Sequence, residues 1–336
     1  MNCACGRRHF LMGGLAAGLL SSAASAAVKP MRIDVHHHVV PPVWVDAVKR
    51  AKLDNPPMTN WTPEKSLEDM DKAGVTTAML SPMPPQVGFL PAADAASVAR
   101  ASNEWTRKLA DAHPGRFGVF AMLPMPNVDE SLKEIAYAFD TLKVDGVGLM
   151  TSYGDKWLGY DEFAPVFQEL NRRKAVVYTH PTNANCCVNV VRGVPDAAID
   201  WGADTTRTIA NLIFSGASRK YADTSFIFSH GGGVLAAVAE RLRIQMVSTP
   251  PYKGKFTREM VDHELKRFFY DTAQVANEVT IQAMTKLVGV SQIVFGSDFP
   301  YRTEAEHVSG LRQRFSAVEL AKIDSGNVLR ILPKRG

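Results

Sequence analysis

Cysteine is scarce, with four in a chain of 336 residues. Cys3 and Cys5 stand near the start and Cys186 and Cys187 are adjacent, so no spaced pairs exist from which to build a disulfide framework or a C-x-x-C zinc site. Neighbouring cysteines close only a strained ring, so this pair reads as two free thiols. Neither sign of charge dominates. Lysine and arginine total 38 against 34 acidic residues, a formal net charge of +4. That gives no basic field for nucleic acid or an anionic membrane. Beyond the first 26 residues no run approaches the ~20 apolar residues of a spanning helix, so no membrane anchor is expected in the mature form. The chain also lacks close internal repeats and low-complexity tracts outside that leader.

The leader itself is patterned. Arg7 and Arg8 precede Phe10 and Leu11, then a weakly apolar Ala/Gly/Leu stretch ends at Ala24-Ser25-Ala26. A charged region, an apolar region and a small-residue cleavage site make a signal peptide. The R-R-x-F-L pattern resembles the twin-arginine export signal of bacteria, whose machinery is then an expected partner. Residues 1–26 are accordingly expected to leave, taking the net charge from +4 to +2, and residues 27–336 to form one periplasmic or secreted domain.

What the remainder has in abundance is alternation. Short runs rich in Val, Ile, Phe and Leu recur at 31–36, 75–80, 116–123, 146–150, 175–180, 225–230, 267–273 and 292–298. Segments such as 63–74, 92–115 and 161–175 lie between them, with apolar residues every three or four positions and Gly or Pro at their ends. Eight strand–helix repeats in a chain of this length predict an α/β fold, a (β/α)8 TIM barrel, and not an open sheet. The Pro-rich stretches 54–63 and 81–91 read as surface loops within that domain.

Polar residues interrupt the apolar runs in one topological place. His36 and His38 end the first run, His180 the fifth, His230 the sixth and Asp298 the eighth. In a barrel these ends share the C-terminal rim, where such enzymes build their sites. A lone histidine at a strand end is more often structural than functional, and three in a row can be surface polarity; four strands aimed at one mouth outweigh that. Side chains at i and i+2 share a strand face, so His36 and His38 point into the mouth and His37 toward the helical layer. Three imidazoles and a carboxylate suit one divalent ion, zinc first and manganese acceptably.

The motifs DVHHH, YTHP, FSHGGG and FGSDFPY, in this order over most of the chain, resemble the amidohydrolase-related superfamily. The nearest likeness is its decarboxylase branch, which includes the aminocarboxymuconate-semialdehyde, γ-resorcylate and methylsalicylate decarboxylases. The resemblance implies a metal-dependent barrel in which His36, His38, His180 and Asp298 hold the metal and His230 acts beside it. It further implies that Asp298 shares in proton transfer, that the substrate is a small carboxylate, and that the chain forms a homodimer. The implied reaction is non-oxidative decarboxylation of an aromatic or unsaturated acid, with a mononuclear lactonase or amidohydrolase as the alternative. An exported metal-binding protein without catalysis is a third possibility, and would need a closed site. Dinuclear relatives carry a lysine at the fourth strand end; here it reads GVGLMTSYG, with Lys143 before the strand and Lys156 well beyond it. One metal is therefore expected.

Five further residues are substrate-binding candidates. Arg241 matches an arginine that meets the substrate carboxylate in some relatives, although it also suits a solvated helix face. Trp44, Trp157, Phe299 and Tyr301 follow strand ends and would wall an aromatic slot, unless they merely pack the loops. The glycines 231–233 lack the G-K-[ST] ending of a phosphate loop, so close strand-to-helix packing is expected of them.

Overall fold

A computed structural model describes residues 31–336; the leader reading, with Arg7 and Arg8, lies outside them. Eight parallel strands are hydrogen-bonded in chain order: β1 (Ile33–Val39), β2 (Thr77–Pro82), β3 (Phe117–Met122), β4 (Gly146–Met150), β5 (Val176–His180), β6 (Ser225–Phe228), β7 (Phe269–Asp271) and β8 (Ile293–Val294). The chain just past β8 closes the circle on β1. Val35 N donates to Phe295 O at 3.0 Å, Asp298 N to His36 O at 2.8 Å and His38 N to Phe299 O at 2.8 Å. This is the (β/α)8 barrel expected from the alternation, and each strand lies on one of the eight apolar runs.

Helices α1 (Pro42–Arg50), α2 (Pro63–Ala73), α3 (Ala92–Ala112), α4 (Val128–Asp140), α5 (Ala164–Arg172), α6 (Asp196–Phe214), α7 (Leu235–Ser248), α8 (Glu278–Val288) and α9 (Glu304–Arg312) alternate with the strands. Local sequence explains their limits. Helix α2 starts where Thr62 accepts a hydrogen bond from Lys65 N with Pro63 behind it, and stops at Gly74, whose φ of 70° is left-handed. A large apolar core lies between strands and helices, while a second, smaller cluster fills the barrel: Ile33, Val35, Met79, Phe120, Val176, Tyr178 and their neighbours, with Val328 and Leu332 of the C-terminal segment against them.

The stretch 81–91 is not simply a surface loop. Met83, Gln86 and Val87 are buried, and Gln86 bridges two elements, its Nε2 donating to Gly148 O at 2.9 Å and its carbonyl accepting from Trp44 Nε1 at 2.6 Å. A buried carbonyl and indole N–H that satisfy each other explain why this loop is drawn inward.

Strand β1 carries a local irregularity that matters for the site. Its register against β2 gains one residue between Asp34 and His37. Ile33 and Val35 belong to the barrel interior, and after the extra residue His36 and His38 do too. Such a bulge re-aims side chains beside active sites.

Candidate metal centre

One ligand atom from each of His36, His38, His180 and Asp298 lies within 4.8 Å of all the others, and all four residues are buried. The rings pack edge-on: His36 to His38 at 5.0 Å between centroids, His36 to His180 at 5.1 Å and His38 to His180 at 4.8 Å. Each Nδ1 has an outward partner. That of His36 is 2.8 Å from Asp271 Oδ2, that of His180 is 2.9 Å from Pro181 O, and that of His38 is 3.5 Å from Ser81 Oγ. The three Nε2 atoms are thereby turned to a common point.

Hydrogen bonding alone does not account for that point. His36 Nε2 is fully buried and has no aligned hydrogen-bond partner, although Asp298 Oδ1 is only 3.1 Å away. The same oxygen is 3.2 Å from His38 Nε2. A buried polar atom left without a partner is costly, and donors this close but misaligned have the spacing of ligands around one small cation. The donor set therefore fits a divalent ion.

Electrostatics fit the same role. Burial lowers His38, against its hydrogen bond to Asp298, and pushes His180 well below its ordinary value, with His38 and His36 adding to the effect. In His36 burial is outweighed by the charges of Asp271 and Asp298, which raise it to about 10 in the ion-free chain. Burial would raise Asp298, yet the positive His36 beside it holds the carboxyl well below the usual range. The raised His36 favours an extra proton at the cluster in the absence of an ion, and a cation would compete with that proton.

His230 stands beside the four at 4.9 Å from His36 and 5.5 Å from His180 between ring centroids. Its Nδ1 faces Ala273 O at 3.2 Å, which leaves Nε2 for the cavity, and burial lowers it. Its φ of 51° is left-handed, in a turn continued by Gly231, Gly232 and Gly233. A Cβ on Gly233 would lie 2.0 Å from Gly202 O, so this turn packs directly on the backbone of α6. Close packing, the role expected of these glycines, is what they perform.

The cluster opens into a cavity of about 540 Å³. His180, His230 and Asp298 reach it, Tyr301 and Trp201 flank it, and Ala197, Ala198, Ile199, Val234 and Val275 give it a largely apolar wall. Among the described residues, no lysine or arginine lines it. The remaining oxygen of Asp298 accepts from Gln274 Nε2 at 2.6 Å.

The five substrate candidates separate. Tyr301 is at the cavity, its ring 6.1 Å from that of His38. Trp44 is not: it is fully buried in the core with its N–H on Gln86 O, because an indole that finds an acceptor packs better inside than at a rim. Phe299 stacks on His37 at 4.7 Å, on the side away from the cavity. Trp157 donates to Asp204 Oδ1 at 2.6 Å and pins the turn after β4 to α6. Arg241 is exposed on α7 and lines no part of the cavity. His37 does face the helical layer, its Nε2 2.9 Å from Ser66 Oγ of α2 and its Nδ1 3.2 Å from Glu304 of α9.

Two carboxylates escaped sequence reasoning. Asp34 Oδ1 accepts from His36 N at 2.9 Å and from Ser297 N at 3.1 Å, stitching together the segments that carry His36, His38 and Asp298. Asp271 supports His36 and His230; it lies inside the seventh apolar run, and only the structure shows that the strand ends on it. At the fourth strand end stand Met150 and Thr151, whose hydroxyl is bound to Asp204, so nothing there adds a ligand for a second metal.

Known proteins resemble the chain over most of its length. The amidohydrolase family model matches residues 33–334. A 6-methylsalicylic acid decarboxylase of Aspergillus aculeatus is 38% identical over 282 residues, covering 80% of this chain and 84% of that protein. The 6-methylsalicylic acid decarboxylase of Penicillium expansum is 35% identical over 319 residues, covering 90% and 96%. Among solved structures, a dihydroxybenzoic acid decarboxylase from Polaromonas with bound manganese and the inhibitor 2-nitroresorcinol superposes with a TM-score of 0.78 at 19% identity, covering 91% of this chain and 97% of that one.

Proposed function

The chain belongs to the amidohydrolase family, and on that premise we propose that it is a metal-dependent, non-oxidative decarboxylase of a small aromatic acid, a 2-hydroxybenzoate with an alkyl group at the other ortho position. The observation that carries this is the convergence of His36, His38, His180 and Asp298 at one end of an apolar cavity, with His230 beside them. The two decarboxylase relatives supply the reaction class. Ala197, Ala198, Ile199, Val234 and Val275 supply the preference for an alkyl group over a second hydroxyl, because an apolar wall leaves a buried hydroxyl unpaired.

His36, His38, His180 and Asp298 are assigned as the metal ligands. A bound divalent ion would neutralise the substrate's carboxylate and phenolic oxygen and orient the ring. With no lysine or arginine among the described residues of the wall, that end of the cavity is the one that suits the charged end of the substrate. A proton is then delivered to the ring carbon that bears the carboxylate, the C–C bond breaks, its electron pair restores the aromatic ring, and carbon dioxide leaves. Asp298 and His230 line the cavity and are the groups assigned to carry that proton. Zinc is the ion we would test first on donor type, and manganese second, since a structural neighbour carries it.

The test is direct. Metal-loaded protein given 2-hydroxy-6-methylbenzoate in heavy water should release carbon dioxide and 3-methylphenol with one deuteron at the former carboxylate position. Efficient turnover of lactones or amides, with neither carbon dioxide nor ring label from any hydroxybenzoate, would make the chain a hydrolase instead. Export through the twin-arginine route, proposed on Arg7 and Arg8, also suits a protein that acquires its metal while folding in the cytoplasm.

A further inference from the structure

We infer that Asp271 is the positioning residue that fixes His36 in its metal-binding tautomer and, with the same carboxylate, sets the backbone from which His230 enters the cavity. The inference rests on His36 being a metal ligand, as proposed above. Asp271 is 1% exposed at the end of β7. Its Oδ1 accepts from His230 N at 2.8 Å and from Ala273 N at 3.0 Å, while Oδ2 faces His36 Nδ1 at 2.8 Å.

Toward His36 Nδ1 the Asp271 carboxylate, already held by two backbone N–H groups, presents an acceptor. The proton that His36 keeps when a metal displaces the other is therefore the one on Nδ1, which leaves the lone pair of Nε2 facing Asp298, His38 and His180. That Nε2 is the buried atom without an aligned partner. A single carboxylate thus couples the ligand on β1 to the acid–base residue after β6.

The sequence makes room for this contact. Asp271 on β7 and His36 on β1 are not on neighbouring strands; they meet across the segment that follows β8. The residue between them is Gly296, where a Cβ would lie 2.8 Å from Asp271 Cβ and 2.9 Å from His36 Cβ. Any side chain at 296 would push the pair apart.

Asp271→Asn tests the tautomer without emptying the site. Two backbone N–H groups keep the amide oxygen where Oδ1 was, so the amide N–H2 must face His36 Nδ1. His36 then accepts there and carries its proton on Nε2, toward Asp298, which satisfies the ion-free protein but blocks the metal. Zinc affinity, measured against a chelator, should fall roughly 10–100-fold, the loss usual when the partner of a metal-bound histidine is removed. The ion-free melting temperature should stay within about 3 °C of the parent, since an isosteric change that keeps its hydrogen bonds moves stability little. Nitrogen-15 NMR of the zinc-free variant should place the His36 proton on Nε2. Saturating metal should restore most of the turnover, because the oxygen that holds His230 N is retained. Gly296→Ala should weaken zinc binding by separating the same pair, with both side chains intact.

His36→Ala in parallel separates the two levels. If His36→Ala abolishes zinc binding but Asp271→Asn binds zinc within about threefold of the parent, below the loss expected for such a partner, the inference fails and the metal assignment stands. If His36→Ala itself leaves zinc affinity unchanged, the metal assignment fails and takes this inference with it.

Discussion

His230→Asn should separate binding from chemistry. His230 has a φ of 51°, a region that asparagine tolerates far better than most residues, so the change brings little backbone strain. The backbone N–H stays on Asp271 Oδ1 at 2.8 Å, and the new amide can donate to Ala273 O, now 3.2 Å from Nδ1. What disappears is Nε2, the atom that reaches the cavity. None of the four clustered ligand atoms belongs to His230, so metal content should remain near one ion per chain. Loss of a positioned acid–base group lowers turnover by roughly 10²-fold or more, about 2.7 kcal/mol or more in the barrier. The assay is carbon dioxide release per bound metal under saturating 2-hydroxy-6-methylbenzoate, with metal content measured on the same sample. Turnover within about threefold of the parent, far less than a lost acid–base group costs, would refute the role of His230. Loss of the metal would show instead that His230 belongs to the ligand set.

The double variant His36→Ala with His180→Ala should lose its metal, since two of four donors go; full metal by elemental analysis would sink the ligand assignment. His37→Ala should keep the metal, yet lower unfolding free energy by about 3–5 kcal/mol in a denaturant titration, because it strips the buried Asp34 and Glu304 carboxylates of their imidazole. Zinc affinity should tighten as pH rises from 6 to 8, by up to roughly tenfold per unit: Asp271 and Asp298 hold His36 at about 10 despite burial, so at these pH values the metal must displace its proton. A pH-independent affinity in a chelator titration would argue that no ligand proton is released. Replacing Arg7 and Arg8 with Lys should hold the protein in the cytoplasm, because the proposed export route reads such a pair through a receptor; unchanged export in a cell fractionation would point to another route.

The barrel was legible because each strand is a short apolar run and each helix a periodic one, and those patterns are local. The rim was legible for a related reason. A polar residue that ends an apolar run marks the C-terminal end of a strand, and strand ends share one mouth in this fold. Aromatic residues followed no such rule. Trp44 and Phe299 lie close to strand ends, as Tyr301 does, yet their places are set by the acceptor on Gln86 and the face of His37. Neither partner is near in sequence.

Strand phase shows where local pattern stops. Alternation says that His36 and His38 share a face, but not which face. Counting by twos from Ile33 and Val35, which fill the barrel, would bring His37 inward and turn the flanking histidines out. The extra residue in β1 reverses this, and Asp34 stabilises the reversed segment by accepting from His36 N and from Ser297 N, a residue 263 positions away. The bulge, Asp34, Asp271 and the missing side chain at Gly296 are parts of one arrangement. Each is ordinary in its own stretch of sequence and acquires its role only when β1, β7 and the chain beyond β8 are brought together. The four clustered residues are visible as residue types at strand ends; what aims them is distributed over contacts that only the closed barrel creates.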